Sequence, residues 1–232
     1  MEWQVQSDTN SGLIQQLQDF GVIKNEMVAT VMKQTDRRFY CRTANCYVDQ
    51  PQQIGTYATF PAPHAHAYAL ESLANHIHPN SKILDIGCGT GYLTACFARL
   101  IQAKARENLT AATGTVYAVD YHPKLIEFAV ESLNLDDQKL IKNGRVKIFQ
   151  SGSIKACTEF GPFDVIHVGV ASNETPSELL SQLNLYGRML CSVGPRSGSH
   201  IMEQYDRIST SEVSKKILAN EIYIPIIESK DE

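Results

Sequence analysis

The chain has 232 residues, of which 43% are hydrophobic and 20% charged, with 21 basic side chains against 25 acidic ones. This length and composition predict one globular unit and exclude a disordered or collagen-like chain. The formal net charge of −4 provides no overall positive field, so we expect no binding to nucleic acid. No stretch approaches the roughly 18 consecutive apolar residues of a membrane helix, and residues 1–4 do not resemble a signal peptide. The sequence therefore predicts a cytoplasmic protein without membrane contact.

The cysteines and histidines indicate neither disulfides nor a metal site. The six cysteines are widely scattered, and no second close pair joins Cys41 and Cys46 to complete four zinc ligands. Free thiols are expected, because a chain of this size needs no covalent cross-links. Residues 64 and 66, like 76 and 78, are histidines spaced by two, and we expect them to be surface or packed side chains rather than ligands.

The first third of the chain predicts a helical and loop extension. Apolar residues recur at helical spacing over 10–34 with a break at Gly21, which predicts two amphipathic helices. Residues 37–63 are rich in Pro, Gly, Gln, Asn and Tyr without a sustained period, so they predict a long irregular connection. Such long loops are usually functional. Another helix is predicted over 65–76.

From residue 81 onward, predicted strands alternate with predicted helices. We expect strands over 81–86, 115–120, 145–150, 163–169 and 187–193, and helices over 92–103, 123–135 and 176–183. This βαβ alternation predicts an α/β fold with a doubly wound, mostly parallel sheet covered by helices on both faces.

The chain ends in two further predicted strands, over 200–208 and 222–227, separated by a polar stretch too short for a helical crossover. We expect them to add antiparallel strands at one edge. Residues 103–113 are polar and predict an enlarged loop. The chain thus divides into an N-terminal extension over 1–80 that packs on the core and covers the site, and a core over 81–232. A monomer is expected, because the predicted helices lack a sustained heptad.

The strand predicted at 82–86 runs into the sequence GCGTG at 87–91, which places three alternating glycines before a helix. Glycines there let the backbone approach a ligand closely, and open sheets bind ligands beyond the carboxyl ends of their strands. The dinucleotide fingerprint G-x-G-x-x-G spaces its glycines differently, because here the third glycine comes one residue early. The loop predicts a ligand crevice without identifying the ligand.

Two acidic residues accompany this loop. Asp120 ends the next predicted strand, where a carboxylate can accept hydrogen bonds from both hydroxyls of a ribose. Asp85 precedes the glycines and can either orient the loop or meet a cationic part of the ligand. The combination resembles the class I S-adenosylmethionine-dependent methyltransferases, and a doubly wound domain that binds another nucleotide is the alternative.

Further stretches resemble the protein-L-isoaspartate (D-aspartate) O-methyltransferase family, in order from about residue 10 to 227. They are 35–37 (TDR), 47–49 (YVD), 51–55 (PQQIG), 62–67 (APHAHA), 93–99 (LTACFAR), 163–169 (FDVIHVG), 193–195 (VGP) and 204–206 (QYD). The resemblance implies an enzyme that uses S-adenosyl-L-methionine to methylate the free carboxylate of isoaspartyl and D-aspartyl residues, which initiates repair of damaged proteins. Isoaspartyl peptides and proteins would be its partners.

The resemblance also implies roles for individual residues. The expected catalytic residues are Thr59, Pro61 and His66. The expected cofactor-binding residues are Ala58, Thr59, Phe60, Pro61, His66, Asp85, Gly87, Cys88, Gly89, Asp120, Tyr121, Gly152 and Ser153. The expected substrate-binding residues are Ile54, Gly55, His64, Val168, Gly169 and Val170. Cys88 is expected to pack in the loop rather than act as a nucleophile, because no basic residue is near it in sequence.

Three positions depart from the family pattern. Pro61 stands where a hydroxyl residue usually precedes Ala62, Gly152 and Ser153 stand where the family has Asp-Gly near the adenine, and Ile227 replaces a late Thr. A peptide carboxylate with a pKa of about 3.5 is already deprotonated at neutral pH, so the reaction needs no general base. The enzyme's work is then mostly placement, and we expect these losses to impair activity without abolishing it.

Two other functions stay open. A methyltransferase-like domain could serve as an adaptor that binds cofactor or peptide without turnover, and the three departures favour it. The second alternative is a methyltransferase acting on nucleic acid or a small molecule. Amino methyltransferases for bases need a polar, aromatic-rich clamp at the end of the fourth strand, and residues 167–171 do not provide one. The basic side chains at 33, 37, 38 and 42 are expected to form a solvated helix end rather than an RNA site, because Asp36 interrupts them.

Overall fold

The computed structural model describes residues 5–55, 58–152, 154–195 and 200–221. Its N-terminal part begins with the two predicted amphipathic helices, α1 (Asn10–Asp19) and α2 (Glu26–Gln34). Side chains cap both helices, since Thr9 accepts a hydrogen bond from the Gly12 amide and Asn25 accepts one from the Met27 amide. A short helix α3 (Arg38–Cys41) follows.

The stretch predicted as irregular contains a small antiparallel hairpin. Its strands are β1 (Gln52–Ile54) and β2 (Ala58–Phe60), paired through Gln53 and Thr59 at the centre. Helix α4 (Pro63–Leu73) comes next and ends in a 3-10 turn at Ala74–His76. The prediction of a wholly irregular connection was therefore wrong, because strands of three residues give no sustained alternation in the sequence.

A seven-stranded sheet forms the centre of the molecule. Its strands are β3 (Lys82–Ile86), β4 (Thr115–Asp120), β5 (Val146–Gln150), β6 (Phe163–Ser172), β7 (Leu183–Val193), β8 (His200–Arg207) and β9 (Val213–Glu221). The spatial order is β5-β4-β3-β6-β7-β8-β9. The first five strands in this order are parallel, and β8 and β9 add antiparallel pairings at one edge. The prediction of a mostly parallel sheet with antiparallel C-terminal strands is confirmed.

Helices cover both faces of this sheet. They are α5 (Tyr92–Glu107), α6 (Pro123–Asp137), α7 (Lys139–Lys142) and α8 (Ser177–Ser181), together with a 3-10 segment at Ile154–Phe160. One apolar core joins α1, α2, α4 and α5 to one face of the sheet, and a second core lies on the face that α8 covers. The N-terminal extension therefore shares a continuous core with the sheet.

Several element boundaries differ from the predictions. Helix α5 continues to Glu107, because Ala103 and Ala105 are buried within a stretch predicted as loop. Helix α8 is shorter than predicted, because Leu183 already pairs with Phe163 as the first residue of β7. The last strand of the described residues is β9, which lies in the stretch expected to separate two strands. The predicted strand over 222–227 lies outside the described residues.

The order of the strands creates a crevice. The chain runs outward from β3 through β4 to β5 and then returns to β6 on the other side of β3. The carboxyl ends of β3 and β6 are therefore the topological switch point, where open α/β sheets bind ligands. The glycine loop follows one of these strands, and Gly169 and Val170 lie near the end of the other.

Candidate active site

The glycine loop has a backbone conformation that requires glycine. Gly87, Gly89 and Gly91 have φ angles of +71°, +54° and +83°, in the left-handed region that side chains disfavour. The amides of Gly87 and Cys88 donate to the Val119 carbonyl at 2.8 and 3.1 Å, which ties the loop to the end of β4. At Gly89 no atom lies within 4 Å of the position a Cβ would occupy. The loop is therefore fixed on one side and open on the other.

Asp120 lies directly beside this loop. Its carboxylate accepts a hydrogen bond from the Gly89 amide at 3.0 Å and another from the His122 amide at 3.2 Å. The side chain is buried, and this burial raises the pKa of Asp120 above its usual value. Neighbouring Tyr121 is exposed. A hydrogen-bond acceptor is thus held at the rim of the glycine loop.

Asp85 is occupied inside the protein. It is 1% exposed, one carboxylate oxygen accepts from His167 Nδ1 at 2.8 Å, and the other accepts from Thr94 Oγ1 at 2.5 Å. Asp85 and His167 face each other across the pairing of β3 with β6, and Thr94 belongs to α5. Of the two predicted roles for Asp85, this geometry favours orientation of the loop.

The loop residue Cys88 is also buried. Burial, with a smaller contribution from Asp85 and Asp120, raises the pKa of the Cys88 thiol well above its usual range. The thiol is therefore protonated at neutral pH, and its nucleophilicity is low. This agrees with a packing role for the side chain.

The predicted cofactor and substrate residues meet where β6 passes the glycine loop. A Cβ on Gly87 would lie 2.3 Å from Val170 Cγ1, and one on Gly169 would lie 3.0 Å from the Gly87 carbonyl oxygen. Gly169 and Val170 are half-buried, whereas the side chain of Val168 belongs to the core on the α8 face. The backbone of β6 can approach the loop this closely only because Gly87 and Gly169 both lack a side chain.

The segment 58–66 packs around a buried arginine. Phe60 and His66 are buried, and Ala58, Thr59 and Pro61 are half-buried. Arg37 is 0% exposed, and its guanidinium donates to the Pro61 carbonyl at 3.0 Å and contacts His66 Nδ1 at 2.8 Å. Burial, aided by the Arg37 charge, lowers the pKa of His66 well below 6.5.

The remaining predicted substrate residues lie on the same extension. His64 bonds to Asp49 through both its amide and its ring Nδ1, at 2.9 Å each, and its side chain is 38% exposed. Ile54 is buried in the core, and Gly55 is exposed with a φ of +55°. The structure thus offers a polar, partly exposed surface at His64 but places the Ile54 side chain inside.

The adenine-side residues are only partly described. The Ser151 amide donates to the Asp120 carbonyl at 2.9 Å. Gly152 is exposed, with no atom within 4 Å of the position of a Cβ. Ser153 and Ile227 lie outside the described residues. The chain therefore leaves open space at Gly152, beside the strand end that carries Asp120.

The sequence interpretation missed Arg37. The expectation that residues 33, 37, 38 and 42 form one solvated helix end was wrong for this position, because Phe60, Tyr92 and His66 enclose it. Charge in a polar stretch predicts exposure, and the contacts that bury Arg37 come from distant parts of the chain. The signal that could have found it is its place in the 35–37 (TDR) stretch.

Over the parts of the chain that are described, no set of three metal-ligating side chains comes together and no helix could span a membrane.

Comparison with solved structures shows the class of protein. The fold superposes on a crystallised chain from Plasmodium falciparum, assigned to protein-L-isoaspartate O-methyltransferase and bound to S-adenosyl-L-homocysteine, with a TM-score of 0.85 and 26% identity. The match covers 96% of this chain and 100% of that one. Fold and crevice together define a Rossmann-like methyltransferase whose cofactor is S-adenosylmethionine.

Sequence relatives narrow this class to one family. The chain is 33% identical to protein-L-isoaspartate O-methyltransferase of Caenorhabditis elegans, over 100% of this chain and 98% of that one. It is 38% identical over 197 residues to protein-L-isoaspartate O-methyltransferase 2 of Arabidopsis thaliana, covering 82% of this chain and 61% of that one. The family model described as protein-L-isoaspartate(D-aspartate) O-methyltransferase matches residues 8–231. The chain belongs to this family, and it is an enzyme that transfers methyl groups.

Proposed function

We propose that the chain transfers a methyl group from S-adenosylmethionine to the free carboxylate of L-isoaspartyl and D-aspartyl residues in damaged proteins and so initiates their repair. The observation that carries this proposal is the family match over 8–231, combined with the crevice between the glycine loop and Asp120 at the switch point. Neither feature alone specifies both the cofactor and the substrate.

The residues around the glycine loop fit the cofactor. The face of Gly89 is open, and Asp120 holds an acceptor beside it, suited to ribose hydroxyls. The hydroxyl of Thr90 is buried without a hydrogen-bond partner in the described part of the chain. A buried unsatisfied hydroxyl is costly, so a ligand atom that bonds to Thr90 would remove this cost. We assign Gly87, Gly89 and Asp120 to the cofactor, with Tyr121 and Gly152 toward its adenine.

The chemistry requires placement rather than proton transfer. When bound, S-adenosylmethionine supplies an electrophilic methyl group, and the substrate carboxylate is already ionised at neutral pH. His66 agrees with this, because its depressed pKa keeps it neutral and its Nδ1 is occupied by Arg37. The protein's task is to hold the carboxylate in line with the methyl group, and proximity of this kind can contribute about 7 to 11 kcal/mol.

The hydroxyl missing at Pro61 has a candidate replacement. Thr59 is the central residue of β2, and Pro61 follows this strand by one residue. Side chains two residues apart in extended chain lie on the same face, so Thr59 presents its hydroxyl on the face where Pro61 lies. We propose that Thr59 donates to the substrate carboxylate. Losing the hydrogen bond that a hydroxyl at position 61 would donate costs about 1.5 to 3 kcal/mol. Because Thr59 supplies another donor, we expect activity to be reduced rather than abolished.

Further observations support proposals for the oligomeric state and the compartment. All six cysteines are free and buried, as is usual in a reducing compartment such as the cytoplasm. Apart from the neighbours Leu185 and Tyr186 on β7, the large apolar side chains exposed in the described residues lie on separate elements, including Phe20, Leu109, Leu135 and Ile217. Such scattering is normal for a monomer. We propose a cytoplasmic monomer that acts on isoaspartyl proteins and not on nucleic acid; light scattering would test the oligomeric state.

A matched pair of peptides tests the function. Two peptides of identical sequence, one with an isoaspartyl linkage and one with a normal aspartyl linkage, are incubated with methyl-labelled cofactor. We expect base-labile label on the isoaspartyl peptide alone. The Asp120→Ala variant serves as the impaired enzyme, and Asp19→Asn, at an exposed position of α1, serves as the control. Binding of S-adenosylhomocysteine by calorimetry without any turnover would instead support the adaptor.

A further inference from the structure

Arg37 is a buried cation with an unusually complete set of directed contacts. Its Nε donates to the Cys46 carbonyl at 3.2 Å, and its two terminal nitrogens reach the Pro61 carbonyl at 3.0 Å and His66 Nδ1 at 2.8 Å. Its guanidinium carbon lies 4.2 Å from the ring centre of Phe60 and 5.1 Å from that of Tyr92. The residue therefore links the loop before β1, the segment after β2, helix α4 and the start of α5.

No carboxylate is among these direct contacts. The nearby negative charge that acts on Arg37 is that of Asp49, whose carboxylate is bonded to His64. Burying a charge is costly unless other groups compensate for it. Here two carbonyls, one imidazole and two aromatic faces do so. All but the Cys46 carbonyl lie on the segment 58–66 or, in the case of Tyr92, pack against it. The cost of burial is thus offset by contacts that also define the shape of this segment.

The contact with Arg37 determines where His66 carries its proton. A guanidinium has only N–H donors, so His66 Nδ1 must accept with its lone pair. The proton of the neutral ring then lies on Nε2, on the opposite side of the imidazole. The other charged or titratable groups that act on this ring are His64 and His167. The Tyr92 ring packs against it, with 4.8 Å between the two ring centres. None of them replaces Arg37 as the partner of Nδ1 in the described contacts.

We propose that Arg37 is a positioning residue: it fixes the Pro61 carbonyl and the Nε2-protonated tautomer of His66, and thereby holds segment 58–66 in the shape that the methyl transfer needs. This inference rests on the proposed function only for its last step. The tautomer and the fixed carbonyl are properties of the protein without substrate.

The tautomer is measured on the full-length protein without cofactor. Long-range proton–nitrogen NMR spectra of protein labelled in its histidines report which ring nitrogen carries the proton, and the His66→Gln variant assigns the resonance. We expect His66 to be protonated on Nε2 alone at neutral pH. Protonation on Nδ1, or on both nitrogens, would overturn the proposal even if the enzyme is active.

Kinetics test the positioning step with two arginine variants. Arg37→Lys keeps the charge but cannot reach three acceptors in the geometry of the guanidinium fork. Arg99→Lys is the matched control, because Arg99 is also buried, bonds to Thr35 and Asp136, and lies two turns along α5 from the glycine loop. When the two variants have similar melting temperatures, we expect kcat of Arg37→Lys to be about 10- to 100-fold lower than kcat of Arg99→Lys.

Each result has a distinct meaning. Equal kcat values for the two lysine variants would contradict the positioning role. If the wild-type protein methylates no isoaspartyl peptide, the proposed function fails, and the NMR spectra still decide whether Arg37 sets the tautomer of His66. Should Arg37→Lys fail to fold, the wild-type spectra together with kcat for His66→Gln remain decisive. A kcat for His66→Gln equal to that of the wild type would then overturn the proposal.

Discussion

The contact between the glycine loop and β6 predicts that two glycine substitutions lower the free energy of unfolding by very different amounts. Gly87→Ala places a Cβ 2.3 Å from Val170 Cγ1 in a backbone conformation with a φ of +71°, whereas Gly89→Ala meets no atom within 4 Å at a φ of +54°. A left-handed conformation costs a residue with a side chain about 1 to 2 kcal/mol. Overpacking adds about 1 to 3 kcal/mol. We therefore expect the free energy of unfolding to fall by about 1 to 2 kcal/mol in Gly89→Ala and by about 2 to 5 kcal/mol in Gly87→Ala.

A double-mutant cycle separates strain from steric overlap. Val170→Ala removes the Cγ1 atom that a Cβ on Gly87 would meet, so the Gly87→Ala/Val170→Ala variant should recover about 1 to 3 kcal/mol relative to the sum of the single changes. Urea unfolding measures the free energies, and Gly89→Ala/Val170→Ala is the control that should show no coupling. Equal losses for the two alanine substitutions, or absence of coupling in the Gly87 cycle, would refute the close approach of β6 to the loop.

Three further predictions concern individual side chains. Asp120→Ala should weaken S-adenosylhomocysteine binding about 10- to 100-fold in calorimetry, because it removes the acceptor beside the loop and the partner of the Gly89 amide; unchanged affinity would place the cofactor elsewhere. Asp85→Ala should lower the free energy of unfolding by about 3 kcal/mol, because it leaves His167 Nδ1 and the Thr94 hydroxyl unpaired, and a loss below about 1 kcal/mol would contradict this. The depressed pKa of His66 contributes stability that is present above its unfolded value of 6.5 and is lost as the pH falls from there toward the folded value. The unfolding free energy of His66→Gln should therefore depend less on pH below 6.5 than that of the wild type, and identical slopes would argue that His66 is not buried neutral.

The sequence predicts this fold well where local signals are strong. The apolar strand β3, the GCGTG loop and the helix α5 that follows are all encoded within residues 82–107, and the end of β4 at Asp120 is similarly local. The alternation of strands and helices then determines the parallel sheet, because few right-handed crossovers satisfy it. Asp120 lies beside the glycines, where it accepts a hydrogen bond from the Gly89 amide at 3.0 Å, and its role as an acceptor for ribose hydroxyls stays a prediction.

The features that could not be predicted depend on distant contacts. Strand β9 forms in a polar stretch because its backbone pairs with β8, which its own side chains do not indicate. The hairpin of β1 and β2 is too short to show a period. Arg37 lies in a charged stretch that predicts exposure, and only the approach of Phe60 and Tyr92 encloses it. Such burial depends on the assembled fold rather than on the neighbouring sequence.

The most direct measurement of the proposed function locates the transferred methyl group on the product. An isoaspartyl peptide is incubated with the wild-type protein and S-adenosylmethionine, and tandem mass spectrometry maps the new ester. The crevice at β3 and β6, together with the family match over 8–231, predicts a single methyl ester on the α-carboxylate of the isoaspartyl residue and a lower yield of this ester in Asp120→Ala at the same cofactor concentration. A methyl group on any other carboxylate, or an unmodified peptide in the presence of bound cofactor, would contradict the proposed function.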